Sequence, residues 1–252
     1  MNNIKNIIIS YWFNELTFNP KDKITDLEKE LSSFFNSSFM YNEESINHLI
    51  SMPRIQGISI DKKYLFQMSL INANISISVN DLEQDEIVML INNNLQLFYD
   101  TLKNVFDLKI LYTSVKIEMV EEKQDAANVL AKKYQLEETY EDFSIKKGFI
   151  KDDYYINYIL NSGKEFNFDI KRNDKDLEQD IFDRTLITSL SKAHLNKEFI
   201  LKIIEINDRY AFNKDENYES TKENIRGMII ELKISFVLSF FQTCVKEYLL
   251  FS

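Results

Sequence analysis

The stretch that decides the fold runs from residue 66 to residue 79 and reads FQMSLINANISISV. Its apolar residues alternate with polar ones in two runs: Phe66, Met68 and Leu70, then Ile75, Ile77 and Val79. A two-residue period places the apolar side chains of each run on one face of a strand. Residues 72–74, between the runs, have the composition of a turn. The stretch therefore predicts a β-hairpin with one buried face.

The segments around this hairpin predict an alternation of strands and helices. Apolar residues at three- and four-residue steps over 87–105 predict a helix, and alternation over 110–120 predicts a strand. Residues 7–18 have the composition of a strand, and Thr25 to Glu28 match a capping box that opens a helix. The order through residue 120 is strand, helix, strand, strand, helix, strand. This is the order of the split βαβ arrangement in ferredoxin-like folds.

The second half of the chain predicts another lobe. The charged residues 121–124 indicate a boundary, which gives one domain over 1–121 and a second over 122–252. The second lobe would contain a helix at 126–134, strands at 143–150, 154–160, 165–171 and 199–206, a turn at 161–164 and a polar loop at 207–218. A capping box over 220–223 opens a long C-terminal helix.

A short internal repeat bears on how the two lobes are related. The peptide DLEQD occurs at 81–85 and again at 176–180, each time after a predicted hairpin. Two explanations remain open: the second lobe is a diverged duplicate, or the repeat arose by chance in a chain rich in these residue types. The predicted fold class is α+β, with two lobes of mainly antiparallel sheet and helices on one face. The first lobe is ferredoxin-like, and the C-terminal helix is long.

Composition excludes several kinds of site. The 252 residues include four Gly, one Cys and two His. The glycines lie too far apart to cradle a phosphate. Cys244 has no internal disulfide partner, and His48 and His194 lack the spacing of metal ligands. We therefore expect no cofactor and assign no catalytic, cofactor-binding or metal-binding residue.

The charge balance bears on partners and compartment. Forty acidic residues against 30 basic ones give a net charge of −10, which argues against a nucleic-acid partner. No secretory signal is recognisable. The longest C-terminal apolar run, over 234–241, is shorter than the roughly 20 residues that span a bilayer. We therefore expect a cytoplasmic protein that does not enter a membrane.

The predicted C-terminal helix carries the leading functional hypothesis, because it is apolar almost all round. One stripe contains Ile225, Ile229, Leu232, Phe236, Phe240, Cys244 and Tyr248, and a second contains Ile230, Ile234, Val237, Phe241 and Leu249. A helix of this kind is buried on more than one side. Either it lies between the two lobes, or one side contacts a second subunit or another protein. The candidate partner-binding residues are Phe236, Val237, Phe240 and Phe241.

These observations favour a non-catalytic acidic protein-interaction module: an adaptor, an inhibitor or a chaperone-like subunit, acting on a protein partner or as a homodimer. An acidic decoy for a nucleic-acid-binding enzyme is a further interpretation of the same charge. It requires acidic residues clustered on one surface.

The enzymatic alternative is a divalent-metal-dependent hydrolase or nuclease. Nucleases of the restriction-endonuclease type place Asp or Glu two residues before Lys, so that the acid holds the ion that activates water. Asp169-x-Lys171 and Glu231-x-Lys233 match this fragment. Alternating charge on a solvated strand face also explains Asp169 and Lys171. Residues two apart on a helix, like Glu231 and Lys233, do not face each other. Whether the chain is an enzyme is thus left open, with the sequence favouring a non-enzyme.

Overall fold

The computed structural model describes residues 3–35, 38–42, 50–79, 84–168 and 193–232. Within this part the protein is α+β, with one nine-stranded antiparallel sheet in the order β2-β3-β4-β5-β1-β6-β9-β8-β7. The strands are β1 (Asn3–Phe13), β2 (Met40–Tyr41), β3 (Ile55–Ile58), β4 (Tyr64–Met68), β5 (Asn72–Ser78), β6 (Ile110–Glu122), β7 (Ser144–Lys151), β8 (Tyr154–Phe168) and β9 (Ala193–Asn207).

Helices connect some of these strands. They are a 3-10 turn (Pro20–Lys23), α1 (Ile24–Glu30), α2 (Gln84–Phe106), α3 (Ala126–Lys133) and α4 (Arg209–Lys214). Residues 222–232 are also helical and are named α5 here. The long helix predicted over 87–105 is therefore confirmed as α2, and the short one after the charged boundary as α3.

The chain divides into two compact units. In the described part, the larger unit contains residues 3–119, 146–158 and 203–232 with their gaps, and the smaller unit contains 120–145, 159–168 and 193–202. The chain thus passes from one unit to the other several times. The domains predicted over 1–121 and 122–252 stay a prediction, as does the duplication. Both copies of DLEQD fall wholly or mainly outside the described residues.

Each unit has its own apolar core. In the larger unit, alternate residues of β1, β4 and β5 pack against the apolar face of α2, as the periodicities predict. Its fully buried residues include Ile7, Ile9, Tyr11, Phe66, Met68, Ile75, Ile77, Leu95, Phe98 and Leu102. In the smaller unit, Ala126 and Leu130 of α3 pack with Ile200 of β9.

The decisive hairpin is confirmed, but its turn lies earlier than predicted. β4 and β5 pair antiparallel, with Met68 opposite Ala73, so residues 72–74 belong to the strand. The turn is formed around Ser69, whose Oγ accepts the N–H groups of Ile71 and Asn72. The same hydroxyl donates to Asn72 Oδ1. A serine side chain that hydrogen-bonds the backbone two or three residues ahead makes a turn without glycine.

The turn predicted at 161–164 is wrong, because β8 continues without interruption from Tyr154 to Phe168. The strands predicted at 154–160 and 165–171 are therefore one strand as far as residue 168. Ser162 pairs with Phe143, donating its N–H to the Phe143 carbonyl at 2.7 Å. Gly163 lies beneath the ring of Phe199, and a Cβ on Gly163 would come within 2.4 Å of that ring. The glycine is needed here for close packing and not for chain reversal.

Neither predicted capping box forms as expected. α1 begins at Ile24 after Lys23, with no side-chain cap, and the Glu28 carboxylate accepts the N–H of Phe39 instead. α5 begins one residue later than its box predicts. The Thr221 N–H donates to Asn224 Oδ1 at 3.0 Å, and the Asn224 N–H donates to Thr221 Oγ1 at 3.3 Å. This is a reciprocal cap with asparagine in place of glutamate.

The polar loop predicted over 207–218 is also corrected, because it contains the short helix α4. Asp208 precedes this helix without capping it, since its carboxylate accepts hydrogen bonds from other segments.

Candidate functional site

The described part of α5 is buried on one side only. Ile225 and Met228 are completely inaccessible, and Ile229 and Leu232 are nearly so, all within the core of the larger unit. Ile230, in contrast, is 60% exposed. The first apolar stripe thus packs inside its own unit as far as residue 232. The second stripe begins with a large apolar side chain in contact with water.

Polar contacts fix the orientation of this helix. The Tyr154 hydroxyl donates to the Asn224 carbonyl at 3.1 Å, and Gly227 lies so close to that hydroxyl that a side chain would clash with it. Glu231 pairs with Lys151 of β7 at 2.5 Å. These contacts hold α5 against β7 and β8, and Ile230 stays largely exposed beside them.

The residues predicted to bind a partner lie outside the described residues. This is true of Phe236, Val237, Phe240 and Phe241, which therefore stay a prediction. The same holds for Asp169, Lys171 and Lys233 of the two hydrolase fragments.

Glu231 is the one member of those fragments whose side chain is described. Glu231 lies on a helix and forms an ion pair with Lys151. The hydrogen bond in this pair raises the pKa of Lys151. Among the described residues, no group of three or more His, Cys, Asp and Glu side chains is placed to hold a metal ion. The hydrolase interpretation stays a prediction.

A second polar site, which the sequence did not indicate, surrounds Asp208. Its side chain is completely buried where β9 ends. Asp208 Oδ1 accepts the N–H of Thr113 in β6 at 2.6 Å, and Oδ2 accepts the hydroxyls of Tyr218, at 2.8 Å, and Ser220. The hydroxyls of Ser220 and Thr113 lie 3.0 Å apart. One carboxylate therefore joins β6, the end of β9 and the segment that leads into α5.

Burial dominates the electrostatics of this cluster. It raises the pKa of Asp208, while the hydrogen bonds from Ser220, Thr113 and Tyr218 act in the opposite direction. Burial and the nearby Asp208 charge also raise the pKa of Tyr218. The same two causes raise the pKa of Tyr154 to about 12. Both phenols are therefore protonated at neutral pH, and that of Tyr218 donates to Asp208.

The Asp208 cluster has the properties of a structural clamp. Ser220 lies beside a carboxylate, as a nucleophile would, but it is completely buried and its hydroxyl is occupied. Both Asp208 oxygens accept hydrogen bonds from the protein. The sequence signal that it offered was weak: an acidic residue directly after an apolar strand.

Comparisons with known proteins assign no family. No family model, no curated protein and no solved structure matches the chain. In the described part of the chain, no helix is both long and apolar enough to cross a membrane. The cytoplasmic location stays a prediction.

Proposed function

We propose that this protein is a non-catalytic interaction module that forms homodimers through the second apolar stripe of its last helix. The observation that carries the proposal is the exposure of Ile230 beside the buried Ile229. Residues 234, 237 and 241 follow Ile230 at four, seven and eleven positions, and a helix continuing past residue 232 would carry all four on one stripe. A stripe of large apolar side chains facing water is a common feature of association surfaces.

A second copy is the occupant that this stripe fits best. Each copy of the chain has a net charge of −10, so two copies repel each other at long range, and a contact made of uncharged side chains adds nothing to that repulsion. Ile230, Ile234, Val237 and Phe241 carry no charge. A twofold interface brings the same patch of both copies together, and an uncharged apolar stripe is complementary to itself.

The proposal for the fold concerns the strands β1, β4, β5 and β6 and the helices α1 and α2. We propose that β1, α1, β4, β5, α2 and β6 form a ferredoxin-like split βαβ lobe into which β2 and β3 are inserted. The adjacent order β4-β5-β1-β6 supports this, as do the antiparallel pairings of β5 with β1 and with β4. Helices on one face of the sheet are part of the same proposal, and contacts between α1 and α2 support them.

The dimer is tested by light scattering over a range of protein concentrations. We expect wild type at twice the monomer mass, and Ile230→Asp to raise the dimer dissociation constant at least about tenfold, because a charge would enter an apolar contact. Ile60→Asp is the matched control, since Ile60 is 73% exposed and lies outside α5.

Two double variants extend the test to the predicted partner-binding residues. Val237→Asp/Phe241→Asp should abolish dimerisation and leave the fold intact. Phe236 and Phe240 belong to the first stripe, whose described members are buried. Phe236→Asp/Phe240→Asp should therefore lower the free energy of unfolding in addition to weakening dimerisation. A wild type that stays monomeric at every concentration, or equal behaviour of Ile230→Asp and Ile60→Asp, would contradict the proposal.

A further inference from the structure

The edge strand β7 has the properties of an acceptor for an additional strand. It is last in the sheet order, and among the described residues no strand pairs with its outer side. An edge strand presents unpaired N–H and C=O groups. Six of its eight residues are exposed, which is far more than for the inner strands.

The side chains of β7 are both apolar and basic. Phe149 is 45% exposed and Ile150 is 50% exposed, although successive residues point to opposite faces of a strand. Lys146 and Lys147 are exposed as well, and the strand contains no acidic residue. Lys146 and Lys147 add two positive charges to this edge within a chain whose net charge is −10, whereas the third lysine, Lys151, is paired with Glu231.

The neighbours of β7 establish which side chain lies on which face. Phe149 stacks on Tyr158 with ring centroids 5.9 Å apart, and Lys151 pairs with Glu231 of α5. Lys147, Phe149 and Lys151 therefore share the face on which Glu231 of α5 lies. Lys146, Gly148 and Ile150 share the other face, where Gly148 lies opposite Asn157.

We propose that the outer edge of residues 146–150 binds an acidic extended segment of a partner protein as an additional strand. Main-chain hydrogen bonds supply the affinity in this mode of recognition, and alternate side chains supply the specificity. Opposite charges across a strand pair are favourable and like charges are unfavourable. A complementary segment has acidic residues opposite Lys146 and Lys147 and apolar residues opposite Phe149 and Ile150. It then makes favourable side-chain contacts on both faces of the strand.

Charge also argues against the alternative occupants. Lysines on an edge strand disfavour pairing with an identical strand, so a second copy of β7 is a poor partner. Lysines alone would protect this edge from pairing. Protection does not explain the exposed apolar side chains of Phe149 and Ile150, one on each face. This site uses residues other than those of the dimer proposed above, and its test is independent of that proposal.

The test uses a fluorescein-labelled peptide with the sequence Thr-Ile-Val-Thr-Glu-Glu-Thr, which places its glutamates opposite the two lysines in an antiparallel register. Binding to the full chain is measured by fluorescence anisotropy at low ionic strength. We expect saturable binding that weakens with salt. A peptide with lysines in place of the glutamates, and one N-methylated at alternate amides, should bind at least about fivefold more weakly.

Charge reversal on the protein locates the site. Lys146→Glu/Lys147→Glu should weaken binding of the acidic peptide at least about fivefold. Lys5→Glu/Lys29→Glu, at two exposed positions outside β7, changes the net charge equally and should have less than about a twofold effect. Lys146→Gln/Lys147→Gln should give an intermediate loss and serves if the charge-reversed variant does not fold, as judged by circular dichroism.

Several results would overturn the proposal. They are no binding of the acidic peptide to wild type, equal binding of the N-methylated peptide, or equal loss in the two charge-reversed variants. Preferential binding of a labelled oligothymidine, or a change of oligomeric state in Lys146→Gln/Lys147→Gln, would indicate a nucleic-acid or self-association surface instead.

Discussion

Gly163 is needed for close packing and not for an unusual backbone conformation. No glycine among the described residues adopts a left-handed conformation; Lys62, Asp107, Asp125, Gln135 and Asp152 do so instead, with φ between 52° and 60°. Side chains of Asp and other polar residues tolerate that region at some cost. Gly163 lies instead where another side chain approaches the backbone closely, since the Phe199 ring occupies the space that a Cβ would need.

A methyl group at this position tests the close packing. Gly163→Ala should lower the free energy of unfolding by roughly 1–3 kcal/mol, because the new Cβ would overlap the Phe199 ring and force it to move. Gly148→Ala is the matched control, since its Cβ would meet only the terminal oxygen of Asn157 and should change stability by less than about 1 kcal/mol. Urea denaturation measures both. Equal effects of the two substitutions would show that the Phe199 contact is unimportant.

At the scale of elements, the start of α5 tests which residues cap it. Thr221→Ala and Asn224→Ala should each lower the free energy of unfolding by about 1 kcal/mol, because each removes hydrogen bonds to the other residue's backbone. Glu223→Ala should cost less than about 0.5 kcal/mol, although the sequence pattern gives Glu223 the capping position. A larger loss in Glu223→Ala than in Asn224→Ala would favour the box beginning at Ser220.

The strands and helices were more accessible to prediction than the points where they end. Periodicity identifies β4, β5, α2 and β6, because burial of one face repeats along the whole element. Turns and caps depend on single hydrogen bonds that no repeat reveals. Ser69 forms its turn three residues before the segment of turn composition, and Ser162 pairs with Phe143 within a continuous strand.

The candidate sites divide in a similar way. The second apolar stripe is predicted by helical spacing, and Ile230, its one described member, is exposed. The Asp208 cluster is not predicted by any local pattern, because Thr113 and Ser220 lie 95 and 12 positions away from Asp208 in the chain. Nothing local distinguishes such an aspartate from one in a solvated loop. The edge of β7 is not predicted by the sequence analysis, because the place of Lys146 and Lys147 at the end of the sheet depends on topology.

For the whole molecule, the buried Asp208 has a consequence for stability against pH. Its pKa is raised in the folded protein, so between the ordinary value of 3.8 and the folded value the native state binds more protons than the unfolded chain. Stability from this residue is therefore present below the ordinary pKa and declines as the pH rises through the folded one. Glu121 acts in the opposite sense, because Lys202 hydrogen-bonds to it and lowers its pKa.

Comparison with a variant isolates the contribution of Asp208. Asp208→Asn should be less stable than wild type at every pH, because an amide offers only one acceptor oxygen to the three donors. The deficit should shrink as the pH rises above the ordinary aspartate pKa of 3.8, since only wild type loses stability through this group. Urea denaturation at several pH values measures it. A deficit that grows over this range would mean that the hydrogen bonds outweigh burial and that the pKa of Asp208 is lowered.

The same carboxylate sets an order of events during synthesis. Thr113 emerges from the ribosome 95 residues before Asp208 and 107 before Ser220. At about 5–20 residues per second, roughly 5–20 seconds pass between the synthesis of Thr113 and that of its partners Asp208 and Ser220. Translation speed over this interval therefore sets the shortest time for which Thr113 lacks these hydrogen-bond partners.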